Sequence, residues 1–119
     1  MSFKAELRRA GDIAVLDLAG RLTIGESSGT LRNMVKDLVR QGERKILLNL
    51  KEVSYVDSAG LGELIAAFAS VTNAGGQIKL LHTQAKIHDL LQVTKLITVF
   101  QDYSDEELAT KSFTQSAKV

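Results

Sequence analysis

Residues 45–62, Lys-Ile-Leu-Leu-Asn-Leu-Lys-Glu-Val-Ser-Tyr-Val-Asp-Ser-Ala-Gly-Leu-Gly, pass from an apolar run into the start of a helix. Lys45–Leu50 is short, rich in Leu and Ile and nearly continuous in its apolar character, the pattern of a mostly buried strand. A seven-residue loop over 51–57 is the expected connection. Beyond it Leu61, Leu64, Ile65, Phe68 and Val71 recur at helical spacing, and Gly75-Gly76 marks the stop. Asp57 is placed to cap that helix, its carboxylate accepting from the first free backbone N–H groups. Ser58 then occupies the first helical position with its hydroxyl near solvent. Gly60 and Gly62 each cost a helix about 0.5–1 kcal/mol relative to alanine. Two such residues in one turn point either to close approach of another backbone or a partner, or to tight packing of the helix on a sheet.

Working outward, Phe3–Arg9 alternates apolar and polar residues, Ala10-Gly11-Asp12 is a turn, and Ile13–Ala19 is a second strand, which together make a hairpin. From Ser27 the period becomes helical through Leu31, Met34, Val35, Leu38 and Val39, and Gly42 ends the helix. Gln77–Leu81 is a further strand; Ile87, Leu90 and Leu91 mark a short helix; Val99–Tyr103 is a last strand. Ser104 followed by Asp-Glu-Glu caps a C-terminal helix over about 104–119, whose polar tail frays after Phe113. Strands alternating with helices predict an α/β fold, one domain over 1–119 with a mixed, mostly parallel sheet of four or five strands and helices packed beside it. The C-terminal ends of parallel strands share one sheet edge, so 20–26, 51–57 and 82–85 are expected to gather there.

The bulk properties narrow the function. The 119 residues carry 15 basic and 14 acidic side chains and a formal net charge of +1, with no cysteine and no proline. Without cysteine there is no thiolate catalysis or Cys-ligated zinc, and the reading is a cytoplasmic protein. No basic cluster releases phosphate counterions, and four Phe and two Tyr form no stacking platform, so nucleic acid is not an expected partner. No signal-peptide core and no span of roughly 20 apolar residues is present, so no membrane partner is expected either.

The segment Asp57-Ser58-Ala59-Gly60-Leu61-Gly62, preceded by Val-Ser-Tyr-Val, closely resembles the phosphorylation motif of bacterial anti-sigma factor antagonists, the stand-alone members of the STAS domain family. The likeness extends to Gly20-Arg21-Leu22 after the second strand and to Gly75-Gly76 before the next one. The resemblance implies that the matching serine, Ser58, is phosphorylated by an anti-sigma factor that is itself a serine kinase. It implies that the dephosphorylated chain binds that kinase and frees the sigma factor, and that a serine phosphatase resets the cycle. The partner-binding residues it implies are Asp57, Ser58, Ala59, Gly60, Leu61 and Gly62, with Arg21, Thr23, Ile24 and Gly25 in the preceding loop. On this reading the chain is not an enzyme and takes no cofactor; its oligomeric state is open. Two alternatives stand beside it, a constitutive STAS subunit of a transport or scaffold assembly and a nucleotide-sensing module.

Other motifs are weaker. Gly60-Leu61-Gly62-Glu63-Leu64-Ile65 imitates a dinucleotide fingerprint, but Ile65 replaces the third glycine and the loop before it is too long for the required tight turn. No phosphate-binding P-loop sequence occurs. A hydrolase triad of Ser58, Asp57 and either His82 or His88 would use adjacent residues and lacks the nucleophile elbow. Both histidines read as structural or solvent-exposed, without a carboxylate cluster to complete a metal site. Ala66, Ala67 and Ala69 read as a face packed on the sheet, and Arg40, Arg44 and Lys45 as solvated charges.

Overall fold

A computed structural model describes residues 3–23 and 29–116. The elements follow the chain as β1 (Lys4–Ala10), β2 (Ile13–Leu22), α1 (Thr30–Arg40), β3 (Lys45–Val56), α2 (Ser58–Asn73), β4 (Gln77–Leu81), α3 (Ala85–Val93), β5 (Asp102–Tyr103) and α4 (Glu106–Ser116), with a single 3₁₀ turn at Leu96–Thr98. The five strands lie in sequence order; β1 pairs antiparallel with β2, and every later pair is parallel.

That order explains the layers. Right-handed crossovers that always step in the same direction put their helices on one face. So α1, α2 and α3 share a face, and Ala14, Leu16, Leu18, Ile46, Leu48, Leu50, Ile78 and Leu80 meet Leu31, Val35, Leu64, Ala67, Val71, Ile87 and Leu91 in the main core. Phe100 closes this core with its ring edge-on to Phe68, centroids 5.4 Å apart. The opposite face is covered by α4, where Ala109 and Phe113 pack on Ile13, Val15, Leu47 and Leu81. Buried among them is Lys79, whose Nζ donates to Ser112 Oγ at 2.9 Å and lies 4.9 Å from the Phe113 ring centroid.

Several boundaries differ from the sequence reading. Of the expected loop 51–57, residues 51–56 are strand: β3 continues to Val56 because β2 also continues, to Leu22, and the two stay paired through Arg21↔Tyr55 and Leu22↔Val56 across two register shifts. Buried Val53 and Val56 sustain the extension. The last strand, expected over 99–103, keeps only Asp102–Tyr103, since Phe100 turns inward after the 3₁₀ turn. Asp105 rather than Ser104 caps α4, its Oδ2 accepting from Leu108 N–H, and the helix runs past Phe113 to Ser116. Arg44 is more than a solvated charge; its Nη1 donates to the carbonyl of Val39 in the last turn of α1.

The start of α4 is tied to the sheet by charge. Arg8 on β1 donates from Nε to Asp17 at 2.6 Å and from Nη2 to Glu106 at 2.7 Å, and Asn49 donates to Asp17 at 2.8 Å. The Arg8 hydrogen bond holds the Glu106 carboxyl below its ordinary range. Burial pushes Asp17 up, but the hydrogen bonds from Arg8 and Asn49 outweigh it and leave that carboxyl low as well. Depressed carboxyl pKa values mean stability that is present above the unfolded values near 4 and lost as pH falls through the folded ones. Thermal melting followed by circular dichroism should therefore drop as pH is lowered from about 5 to about 2. Arg8→Met should flatten that acid limb; an unchanged limb would mean that other carboxyls set it.

Candidate functional site

The end of β3 runs into α2 through one residue. Asp57 has extended backbone, and its carboxylate accepts from Gly60 N–H at 2.8 Å, the bond of an N-cap. Ser58 follows as the first helical residue and is exposed. Exposure, a helix N-terminus and free N–H groups make the hydroxyl accessible and the position favourable to an anion.

The two glycines have different reasons. A Cβ on Gly60 would lie 1.8 Å from the carbonyl oxygen of Leu22, so the backbone of β2 fills the place of a side chain. The same carbonyl accepts from Asp57 N–H at 3.3 Å. Gly62 is exposed, and a Cβ there would meet nothing within 4 Å. Close approach of a backbone is thus the reason for Gly60; internal packing gives none for Gly62.

The other sequence-chosen residues divide similarly. Ala59 and Leu61 are half-buried, and Leu61 packs against the main core. Arg21 is exposed and lies 5.2 Å from the ring centroid of Tyr55, itself 49% exposed. Thr23 is buried, so its side chain belongs to the fold rather than to an open contact surface. Ile24 and Gly25 lie outside the described residues. The expected gathering at the sheet edge holds for its described parts: Leu22 meets Asp57, and Gln84 Nε2 donates to the carbonyl of Lys51 at 2.6 Å.

Two residues escaped the sequence reading. Ile65, expected in the core, is 43% exposed, and Ala69, expected against the sheet, is exposed too. Ser58, Gly62, Ile65 and Ala69 are spaced to share one helix face, and all are exposed. Among the sixteen residues of α2 the one ionisable side chain, Glu63, is buried. The exposed face of α2 therefore carries no charge. Its absence of Lys, Arg, Asp and Glu was the signal available in the sequence. Tyr55 lines an apolar groove of about 270 Å³ with Val56, Ile87 and Leu90 beside it.

His82 follows β4 with φ 56 and lines, with Asp102, a cavity of about 430 Å³ at the same sheet edge. Burial raises the Asp102 carboxyl despite a hydrogen bond from Thr83 and the nearby charges of His88 and His82. Asp102 is a single carboxylate in that lining, not the cluster a metal site needs. Among the described residues no three such groups are placed to hold a metal. The dinucleotide comparison also changes. With β3 extended there is no long loop, so the objection rests on Ile65 and on Leu22 occupying the space at Gly60. No helix among the described residues is long and apolar enough to cross a membrane.

The STAS domain family model matches residues 4–109. The chain belongs to the STAS domain family. It is 24% identical over 106 residues to the anti-sigma F factor antagonist of Paenibacillus polymyxa, covering 89% of this chain and 91% of that protein. It is 29% identical over 96 residues to the anti-sigma-B factor antagonist of Bacillus subtilis strain 168, covering 81% and 86%. The Bacillus cell fate determinant SpoIIAA in its phosphorylated form superimposes with a TM-score of 0.71 at 21% identity, over 92% of this chain and 99% of that one. At that identity the superposition speaks for the STAS fold alone.

The geometry of the two glycines gives opposite expectations for one substitution. Gly60→Ala should destabilise this STAS domain by about 3 kcal/mol, because the Leu22 backbone has to move. Gly62→Ala should stabilise it by about 0.5–1 kcal/mol. Urea denaturation of both variants checks this, and equal effects would mean that Leu22 does not limit Gly60.

Proposed function

We propose that this STAS domain is an anti-sigma factor antagonist that changes partners by phosphorylation of Ser58. The observation that carries the reading is an exposed serine at the first position of α2, beside an N-cap aspartate and at one end of an uncharged, exposed helix face. The antagonist names of the two bacterial relatives support it. In this reading the partner is an anti-sigma factor serine kinase, a phosphatase restores the hydroxyl, and the chain itself performs no catalysis.

The switch is electrostatic. A phosphate on Ser58 adds about −1.5 to −2 charge, and the helix N-terminus tolerates or favours it, so α2 stays folded. The cost arises where the partner seats. A surface complementary to a bare hydroxyl and to Gly62, Ile65 and Ala69 must then desolvate a dianion next to Asp57. Like charges about 4 Å apart at an effective dielectric near 20 repel by roughly 4 kcal/mol. Even about 3 kcal/mol weakens a complex by about two orders of magnitude. Gly62 keeps the surface shallow where the partner approaches closest, which gives this open glycine a reason that packing does not.

Intact mass spectrometry after incubation with ATP and an anti-sigma kinase should show one added phosphate, absent from Ser58→Ala. Calorimetry should show Ser58→Ala binding the kinase and Ser58→Glu binding at least about tenfold more weakly. A kinase that binds the wild-type chain yet never phosphorylates it would instead indicate a constitutive subunit. On the helix face, Ile65→Glu should weaken binding of the unphosphorylated chain by about tenfold or more while leaving its melting temperature unchanged. Equal affinity would remove the α2 face from the interface.

A further inference from the structure

Glu63 is a carboxylic side chain placed among the apolar residues of the core. It lies on the inward side of α2 and is 8% exposed, in a helix whose neighbours in the core are Leu64, Ala67 and Val71. Its Oε2 accepts from the backbone N–H of Gly29 at 3.3 Å. Gly29, with φ 81, is the residue before α1 and has no side chain with which to cap that helix; the first turn of α1 contains no acidic residue. A carboxylate from α2 thus serves the positive end of α1.

A buried charge loses hydration, and an apolar residue of similar volume often serves a fold equally well or better. What Glu63 supplies is a fixed relation between two segments. The chain leaves β2 at Leu22, held to α2 by Asp57 N–H and by the close contact at Gly60. It enters α1 at Gly29, held to α2 by Glu63. The three contacts, at the N-cap Asp57 and at 60 and 63 in α2, recur every third residue around the start of the helix that presents Ser58. We infer that Glu63 is a positioning residue for recognition at Ser58, locking the start of α1 to the phosphoacceptor turn so that a partner meets one preformed surface. A surface fixed in advance costs the partner less ordering on binding. The inference rests on the proposed role of Ser58.

The test compares the wild-type chain with Glu63→Gln and Glu63→Leu in kinase binding, phosphorylation kinetics, melting and amide exchange at Gly29. Glu63→Gln keeps an oxygen acceptor without the charge and should fall between wild type and Glu63→Leu. Glu63→Leu should melt no lower than wild type and exchange its Gly29 amide faster. It should also lose about tenfold in kcat/KM for phosphorylation, carried by KM, the scale of one hydrogen bond to a charged acceptor. Wild-type kinetics in Glu63→Leu would overturn the positioning role while leaving Ser58 phosphorylation intact. A wild-type chain that is neither bound nor phosphorylated would overturn the Ser58 reading, and this inference with it. If Glu63→Leu fails to fold, Glu63→Met makes the same comparison; failure of both would show Glu63 to be a stability residue and overturn the inference.

Discussion

The carbonyl of Leu22 occupies the space that any side chain on Gly60 would need, with its oxygen 1.8 Å from the position of a Cβ. That contact fixes how α2 can sit. Because the end of β2 touches the first turn of α2, β2 and β3 must remain paired to their ends, which carries β3 to Val56 and leaves a single residue before the helix. Asp57 then has extended backbone and a carboxylate turned onto Gly60 N–H, and Ser58 is presented outward. An exposed hydroxyl on a helix N-terminus is thus set by a backbone contact beneath it. The Asp57 carboxylate on Gly60 N–H then completes the turn.

The two faces of the sheet serve this arrangement differently. The face under α1, α2 and α3 is filled by aliphatic side chains, and packing there sets the height of α2 over the sheet. The face under α4 is smaller in its apolar part and finished with polar groups: Arg8, Asp17, Asn49 and Glu106 at one end, Lys79 and Ser112 at the other. The ion pairs of Arg8 with Asp17 and Glu106 are partly exposed, so they orient α4 more than they add net stability. The strand order explains the division: three same-handed crossovers exhaust the helices available to one face, and only the helix after the last strand is left for the other.

Periodicity was enough to place α1, α2 and β4, because each is bounded by glycine or a cap and carries an unbroken apolar pattern. It failed where pairing overrides local pattern. Lys51-Glu52-Val53-Ser54-Tyr55-Val56 is too polar to read as a buried strand, yet it is held extended by β2 alongside it. At Phe100 the opposite error occurs: an apolar residue that suits a strand instead plugs the core from a turn. The motif Asp57–Gly62 was legible as a unit, but not the separate duties of its glycines, which depend on where Leu22 arrives from far along the chain. Glu63 was invisible for the same reason, since its value lies in reaching Gly29, and Ile65 passed for a core residue because helical spacing alone does not say how wide the buried stripe is.

A helix N-terminus is a poor place to disrupt a fold with a phosphate and a good place to disrupt an interface. The free N–H groups and the dipole would stabilise a phosphate attached at Ser58, so under the proposed function a modified domain would have little reason to rearrange. The uncharged face of α2 adds no cation that could neutralise a dianion from the same helix, and the one carboxylate it contains is turned inward onto α1. Asp57, next to Ser58, contributes a charge of the same sign. The geometry therefore confines the electrostatic penalty to whatever is pressed against α2. The proposed switch would therefore need no second conformation of its own: one surface would suit a partner in the bare state and repel it in the phosphorylated one.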